Sequence, residues 1–373
     1  MTVRGRPGLF SSYEADEAPL RTRTQRVWFG LMIAFLLVLP LQLDAELNAL
    51  MATAFLAAIG AIGLNLVTGW AGQVSLGHAF FLGVGAYTGA VIAGDPEART
   101  TGFGLDLVIW LPAAGLVAAA VGLAVAPVAT RLRGQYLAIV TLGLVFLGEH
   151  IFRELKSVTG GLGTGREAPD LVAAGIDLES TTSLFGLVAL DREMKLYLFS
   201  LALLAIMAVL AKNLTRSAVG RAFAAVRDRD IAAEVMGVEL TKHKVIAFGI
   251  SSFYAGIAGA MLSTVTGFIE PGNYDLFLSI EFLAMILIGG VGTLAGALMG
   301  AAFVTLLPRL VEEFPRFLPF ISSESSGGFL TTFQLQTIIY GSLIVAFMIA
   351  EPRGLFGLWV RARNYFRAWP FSY

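Results

Sequence analysis

The sequence predicts an all-α fold, a polytopic membrane helix bundle of about ten transmembrane segments, some of them discontinuous. Of the 373 residues, 56% are apolar and only 14% are charged, whereas soluble domains carry about 25% charged residues. The apolar residues form continuous runs rather than the alternating pattern of a membrane β-barrel. The absence of cysteine excludes a disulfide-stapled domain, and the net charge of −1 argues against nucleic acid as a partner.

A helix needs about 20 mostly apolar residues to cross the hydrocarbon layer, and ten stretches come near that length. They are 27–43, 47–67, 71–94, 107–129, 135–152, 196–211, 245–269, 276–290, 291–311 and 333–350. Glycines interrupt several of them, so two could be half-helices or re-entrant segments. The first stretch is predicted to be a retained signal-anchor helix, because no small-residue cleavage site follows it.

The basic residues predict the orientation. Segments 1–26, 130–134, 212–244 and 351–373 hold 18 of the 26 Lys and Arg residues. Because cytoplasmic loops carry the excess of basic residues, we expect these segments and both termini to be cytoplasmic. The chain then divides into a polar N-terminal segment (1–26), a transmembrane domain (27–350) and a cytoplasmic tail (351–373).

Two polar segments lie within the transmembrane domain. Segment 153–195 is the largest predicted external loop. Its glycine-rich run 159–165 lacks the Gly-Lys-Ser/Thr ending of a phosphate-binding loop, so a flexible turn is favoured, and the loop could serve as a docking surface for an external partner.

Segment 212–244 is predicted to form two short helices at the cytoplasmic surface. Ser217 is the expected N-cap of the first helix, and Asp228 or Asp230 that of the second, which ends at Gly237. Small apolar faces at helical spacing suit docking into the groove of another protein. A surface helix that only covers its own bundle is an equally weighted alternative.

Polar groups at membrane depth are costly unless they are paired or line a cavity. The densest set, within residues 65–78, is Asn65, Thr68, Gly72, Gln73, Ser75 and His78, with further glycines at 69 and 77. On one continuous helix, Ser75 and His78 would share a face, as would Gln73 and Gly77. The glycines also permit an interrupted helix, and we favour a transport pathway over a simple cytoplasmic turn.

Two further features lie in the second half of the chain. Glu281 is a carboxylate inside an apolar stretch, which indicates either a functional group or a brace for a broken helix. Gly292, Gly296 and Gly300 recur every four residues, as do Gly85 and Gly89, and this spacing favours close helix packing.

Three blocks in order resemble a known family. They are 64–78 followed by Gly85-Ala86-Tyr87, the stretch 220–238, and 279–282 running into 289–293. The chain resembles the permease subunits of branched-chain amino-acid ABC importers, a family that includes urea permeases, over roughly residues 30–355. Its length, large external loop and additional N-terminal span are similar to the LivM-type subunit.

The resemblance implies a bacterial inner-membrane subunit that passes solute and is not an enzyme. It implies no cofactor or metal in this chain, with ATP and Mg on partner subunits. The implied partners are a LivH-like second permease subunit, two ABC ATPase subunits, a periplasmic substrate-binding protein and the lipid bilayer.

The predicted site residues form two sets. The substrate-pathway set is Asn65, Thr68, Gly72, Gln73, Ser75, His78, Glu281 and Thr293. The set that the resemblance assigns to ATPase coupling is Arg221, Ala225, Asp228, Glu234 and Gly237.

Three alternatives stay open from the sequence. Within the family, urea or another short amide is the runner-up substrate. An ion-coupled secondary transporter would work without an ATPase, and an inverted repeat would favour it. A membrane-embedded enzyme would need clustered His, Asp or Glu, and the three His residues are scattered.

Overall fold

Helices dominate the part of the chain that the computed structural model describes, which is residues 23–97, 100–132, 134–173, 176–177, 182–184, 188–311, 321–322, 330–351 and 353–368. The helices are α1 Arg23–Val38, α2 Ala45–Asn65, α3 His78–Ala93, α4 Leu107–Thr130, α5 Gln135–Glu154, α6 Lys156–Thr159, α7 Arg192–Arg216, α8 Ala218–Asp228, α9 Asp230–Val235, α10 Leu240–Thr266, α11 Leu276–Gly289, α12 Leu294–Val311, α13 Thr332–Ala350 and α14 Gly354–Ala368. Most of the polar N-terminal segment predicted over 1–26 lies outside the described residues.

The apolar helices match the predicted stretches. Among the described residues, α1, α2, α4, α5, α7 and α10 are long and apolar enough to cross a membrane. Four shorter apolar helices lie in α3, α11, α12 and α13. Since each of the ten corresponds to one apolar stretch of the sequence, the prediction of an all-α polytopic bundle is confirmed.

Strands are confined to short pairs in the connections. The described strands are β1 Arg166–Glu167, β2 Val172–Ala173, β3 Ile176–Asp177, β4 Thr182–Leu184, β5 Val188–Leu190, β6 Phe268–Ile269, β7 Ile321–Ser322 and β8 Leu330–Thr331. The pairs β1–β6, β2–β3 and β4–β5 are antiparallel and β7–β8 is parallel. Because β1 pairs with β6 in the register Arg166↔Ile269, the loop before α7 is tied to the loop after α10.

Two helices form the centre of the bundle. In α2 and α10, 78% and 72% of the most apolar stretch is buried, against 6% in α1. The buried faces of α2 and α10 are rich in alanine and glycine, which allow close helix approach. Helix α1 lies at the periphery, where the Tyr197 hydroxyl of α7 donates a hydrogen bond to the Leu36 carbonyl at 3.0 Å.

The connections separate into two ends. We call the end that carries α8 and α9 the lower end and the opposite one the upper end. At the upper end Arg166 donates hydrogen bonds to the carbonyls of Ala90 at 2.6 Å and Thr101 at 3.2 Å. The described parts of the basic segments predicted to be cytoplasmic all belong to the lower end, while the sidedness itself stays a prediction.

The third apolar stretch, 71–94, is helical only in its second half. A π-helical turn, Leu66–Trp70, follows α2, residues 71–77 are non-helical, and α3 begins at His78. The 16 residues of α3 are about 24 Å long, short of a hydrocarbon layer of roughly 30 Å. The prediction of an interrupted helix is therefore confirmed.

That interruption decides between the two arrangements considered for this stretch. Because residues 71–77 are not helical, the continuous helix on which Ser75 and His78, or Gln73 and Gly77, would share a face does not form. The break falls where Gly72 adopts a φ of +69°, a conformation that glycine reaches without a steric penalty.

Glycines bring α3 and α10 into backbone contact. A Cβ atom at Gly85 would lie well inside the van der Waals distance of the Gly256 carbonyl oxygen, and one at Gly259 would meet the Leu82 carbonyl in the same way. The sequence spacing that included Gly85 therefore marks a true helix contact.

We expect Gly85→Ala to lower the free energy of unfolding by about 1–3 kcal/mol, because the added methyl group overpacks the contact between α3 and α10. The measurement is thermal unfolding in detergent, followed by circular dichroism. Gly143→Ala in α5 is the matched control, since a Cβ there meets nothing within 4 Å. Equal melting temperatures for the two variants would contradict the close contact.

Candidate functional site

Asn65, the last residue of α2, joins two broken regions of the bundle. It is fully buried, its side-chain Nδ2 donates to the Thr293 carbonyl at 2.8 Å, and its Oδ1 accepts from the Gly292 amide at 2.8 Å. Both partners lie in the non-helical turn between α11 and α12. Asn65 thus pairs the Gly292 amide and is a second partner for the Thr293 carbonyl, which also accepts from the Ala297 amide at 3.1 Å.

Thr293 begins α12 as its N-cap. Its hydroxyl accepts a hydrogen bond from the Gly296 amide at 3.1 Å and donates to the Gly290 carbonyl at 3.0 Å. A side-chain oxygen in this position pairs one of the free amides of the first helical turn. Asn65 and Thr293, which are 228 residues apart in the chain, therefore belong to one junction.

The π turn after α2 is held by Thr68. The Thr68 hydroxyl donates to the Gln73 carbonyl at 3.2 Å, and the Gln73 amide donates to the Val67 carbonyl at 2.9 Å. These bonds close the turn back on itself before the chain continues into residues 74–77.

Side chains of other helices pair one amide of the non-helical segment and one amide in the first turn of α3. The Leu76 amide donates to the Thr141 hydroxyl of α5 at 2.9 Å, and the Ala79 amide donates to the Ser279 hydroxyl of α11 at 3.0 Å. Ser75 is buried, and its hydroxyl accepts from the Gly77 amide at 3.3 Å. The break in α3 is therefore a bonded structure.

His78 and Gln73 are buried polar groups with open hydrogen-bonding capacity. The His78 ring packs on Phe282 of α11 at 5.0 Å between centroids. Within the described part of the chain, neither polar atom of the Gln73 amide nor the His78 Nε2 has a hydrogen-bond partner. Buried polar groups are nearly always paired, so Gln73 and His78 are exceptions within the described residues.

Arg227, near the end of α8, connects the lower helices to this junction. Its Nη1 donates to the Gly69 carbonyl of the π turn at 3.0 Å, and its Nε donates to Asp228 at 2.9 Å. A Cβ at Gly72 would lie 2.8 Å from the Arg227 Cγ, and one at Gly292 would lie 3.2 Å from its Nη1. One side chain thus touches both broken regions.

Sequence reasoning missed Arg227 as a site residue. An arginine beside an aspartate on a short amphipathic helix has the pattern of a solvated surface charge, and nothing local identifies Gly69 as its partner. The glycines at 72 and 292 were the available signal, because each leaves room for this side chain.

The lower hairpin consists of α8 and α9. Ser217 is the N-cap of α8, where its hydroxyl accepts from the Gly220 amide at 3.4 Å, as predicted. The N-cap of α9 is Arg229, without a side-chain cap bond, because Asp228 ends α8 and Asp230 already lies in the first turn of α9. The predicted capping by Asp228 or Asp230 is therefore wrong.

The hairpin buries one face and exposes an apolar tip. Phe223, Val226 and Ala233 are buried, whereas Ile231, Val235 and Met236 are 69%, 82% and 83% exposed. Of the predicted coupling residues, Arg221, Asp228, Glu234 and Gly237 are exposed and Ala225 is half-buried. The exposed tip was recognised in sequence only as part of a small apolar face.

Glu281 lies apart from the Asn65 junction. It faces a cavity of about 590 Å³ whose polar lining includes Asn273, Asp275 and Ser263, with Leu82, Leu262 and Phe277 among its apolar residues. Asp275 caps α11 by accepting from the Leu278 amide at 3.0 Å, and Glu281 lies one turn beyond Leu278 in that helix. Burial raises the pKa of Tyr274, which also lines the cavity, so its hydroxyl stays protonated.

The predicted pathway residues therefore fall into three groups. Asn65, Thr68, Gly72, Gln73 and Thr293 lie at the lower end, and Glu281 lies towards the upper end. Ser75 and His78 lie between them, and His78 reaches α11 one residue from Glu281 through Phe282. Among the residues with defined placement, no group of three or more His, Cys, Asp or Glu is arranged to hold a metal ion.

These features define a class of protein, the multi-pass helical membrane proteins whose central helices are broken and bonded through side chains. A family model described as branched-chain amino acid transport system / permease component matches residues 47–348. The chain belongs to this family of permease components, which confirms the resemblance seen in the sequence.

Individual relatives agree with the family. The chain is 30% identical over 305 residues to the high-affinity branched-chain amino acid transport system permease protein LivM of Salmonella typhimurium and to that of Escherichia coli. Each alignment covers 79% of this chain and 66% of the relative, so the chain spans just under two thirds of the length of these relatives.

A further relative is named for the import of a different substrate. The autoinducer 2 import system permease protein LsrC of an Enterobacter species is 31% identical over 180 residues, which are 46% of this chain and 51% of the relative. No solved structure gives a significant match.

We expect Asn65→Leu to lower the free energy of unfolding by about 1–3 kcal/mol, because the buried Gly292 amide loses its partner, whereas the Thr293 carbonyl keeps its bond from the Ala297 amide. Thr68→Val is the control in the same turn, and it removes one longer hydrogen bond of 3.2 Å. The measurement is thermal unfolding of both variants in detergent. A smaller loss for Asn65→Leu than for Thr68→Val would contradict the junction.

Proposed function

We propose that this chain is a permease subunit of an ABC importer that passes branched-chain or related hydrophobic amino acids. A periplasmic binding protein delivers the substrate, and two separate ATPase subunits, which bind ATP and Mg, drive its movement. The chain itself is a transport subunit and not an enzyme. The observation that supports this proposal is the structure of the lower hairpin. The hairpin exposes an apolar tip, and its Arg227 donates a hydrogen bond to the broken region after α2.

The tip of the hairpin is suited to an ATPase groove. Ile231, Val235 and Met236 present exposed apolar surface at the end of a unit too short to cross a membrane. Short amphipathic helices dock into apolar grooves through such residues. Arg221, Asp228 and Glu234 are exposed charges on the same hairpin and would set the orientation of docking.

Hydrogen bonds connect the hairpin to the broken helices, so motion of the hairpin would be transmitted into the bundle. Arg227 bonds the Gly69 carbonyl, and the π turn containing Gly69 follows directly on Asn65. Asn65 bonds Gly292 and Thr293, which connect α11 to α12. Because α11 is a single helix from Leu276 to Gly289, displacement of its lower end would also move Glu281.

The upper cavity is suited to the substrate. Its volume of about 590 Å³ is within the range of small-molecule sites, and its leucine and phenylalanine lining matches an aliphatic side chain. Asp275 and Glu281 supply negative charge for an ammonium group. Urea has neither an ammonium group nor an aliphatic part, so the cavity favours an amino acid over a short amide.

The remaining parts of the proposal concern the assembly. A second, LivH-like permease subunit would complete the conduit, and access to the substrate would alternate between the two membrane faces. The lower end would face the cytoplasm of a bacterial inner membrane, in agreement with its basic residues. Both termini would then be cytoplasmic.

The experiment is uptake of radiolabelled leucine into proteoliposomes. Vesicles that hold this chain, its companion permease and the ATPase subunits should accumulate leucine only with ATP and the binding protein present. Omitting the ATPase subunits should abolish uptake, even under a proton or sodium gradient. Uptake by this chain alone in such a gradient would instead establish a secondary transporter.

Within the same assay, Met236→Glu should reduce ATP-driven uptake by about tenfold, because a buried charge in the docking groove costs at least 1.4 kcal/mol of association. Thr241→Glu is the matched control, since it adds the same charge at an exposed position near the hairpin. Uptake by Met236→Glu at the rate of the unchanged chain would contradict the docking assignment.

For the substrate cavity, Glu281→Gln should raise the KM for leucine uptake about tenfold to a hundredfold, because a hydrogen bond to a charged group contributes about 1.5–3 kcal/mol. Glu281→Asp keeps the charge, so its KM for leucine should lie between the KM of the unchanged chain and that of Glu281→Gln. ATP hydrolysis by the assembled importer is the control readout and should persist. An unchanged KM in Glu281→Gln would exclude this carboxylate from substrate recognition.

A further inference from the structure

The tail after the last span forms a helix that packs on the bundle through its first turn. Helix α14 begins at Gly354, directly after α13 ends at Ala350. Gly354 lies against the Ile288 carbonyl and Leu355 packs on the apolar core. The lower end of the bundle therefore holds the start of α14.

Beyond its first turn, α14 exposes a stripe of large apolar side chains. Leu358, Trp359, Tyr365 and Phe366 are 43%, 57%, 59% and 77% exposed. Trp359, Tyr365 and Phe366 follow Leu358 by one, seven and eight residues, and this spacing places all four on one side of a helix. Within the described residues, no other element covers this stripe.

The charge of the tail has a single sign. From residue 352 to the end of the chain there are four arginines, at 353, 361, 363 and 367, and no aspartate or glutamate. Arg361 forms an ion pair with Glu351 at 2.6 Å while remaining 71% exposed. Asn364 is exposed as well, and helical geometry places it opposite the aromatic stripe.

We propose that α14 lies flat in the membrane interface at the lower end, with the aromatic stripe in the lipid and the arginines on anionic headgroups. The helix has 15 residues, about 22 Å, and carries three of the arginines, so it is too short and too charged to span. Its connection to α13 holds it at the membrane surface.

Three properties favour lipid as the occupant of the stripe. Tryptophan and tyrosine concentrate at membrane interfaces, where their rings are partly apolar and partly polar. An apolar face with basic residues on the polar side is typical of helices that lie in this interface. The unbroken positive charge complements anionic phospholipid, and each basic residue near such a surface adds attraction.

The test measures the depth of single spin labels, which is direct because the chain contains no cysteine. Phe366→Cys labels the stripe and Asn364→Cys labels the polar face, each in the full chain in nanodiscs. The nanodiscs contain phosphatidylcholine alone or phosphatidylcholine with phosphatidylglycerol. Frequent collision of the spin label with oxygen indicates that the label lies in lipid. Frequent collision with a water-soluble nickel chelate indicates that it lies in water.

The label at 366 should collide preferentially with oxygen and the label at 364 with nickel. Phosphatidylglycerol should deepen the label at 366, and the double substitution R361Q/R363Q should remove this lipid dependence. Tyr365→Cys is a second label on the stripe, so that a local effect at 366 does not decide the result.

Two results would overturn the proposal. One is a label at 365 or 366 as open to nickel as the label at 364 in both lipids. The other is protection of the stripe only in the assembled importer, which would identify a protein partner. Neither result depends on transport, so failure here is distinguishable from failure of the importer proposal.

Discussion

Backbone groups that leave a helix inside a membrane bundle must find partners within the protein, since lipid offers none. This constraint governs the centre of the molecule, where the third apolar stretch is broken over residues 71–77 and α11 is separated from α12. Asn65, Thr141 and Ser279 supply hydrogen bonds from neighbouring helices. The broken segments are therefore well-defined structure, and their side-chain partners are essential to the bundle.

The same constraint links the lower hairpin to the bundle. The Gly69 carbonyl lies in the π turn, and its hydrogen-bond donor is Arg227 of α8. Arg227 also lies beside Gly292 in the turn between α11 and α12. The hairpin is therefore part of the Asn65 junction. A force applied at the exposed tip would reach two broken regions at once, and such regions adapt more readily than continuous helices.

The residues that were predicted to line the substrate pathway lie in separate parts of the bundle. The lower group, with Asn65 and Thr293, bonds helices together, and the upper residue Glu281 faces open space beside Asp275 and Asn273. The sequence pattern assigns Asn65, Thr293 and Glu281 to one pathway. Chain order alone does not distinguish a polar group that bonds two helices from one that faces a cavity. Under the proposed function, the lower group would transmit motion and Glu281 would contact the substrate, with α11 as the element common to both.

Sequence alone determined the ten apolar segments and the short amphipathic hairpin, because hydrophobic run length is a local property. The glycines permitted a break in the third segment, and the structure decided that it forms. The sequence also determined the family, since three motifs recur in order. Tertiary structure decided the hydrogen-bond partners: Asn65 with Thr293, and Arg227 with Gly69. These depend on residues far apart in the chain, and only the packing of the helices decides which of them meet.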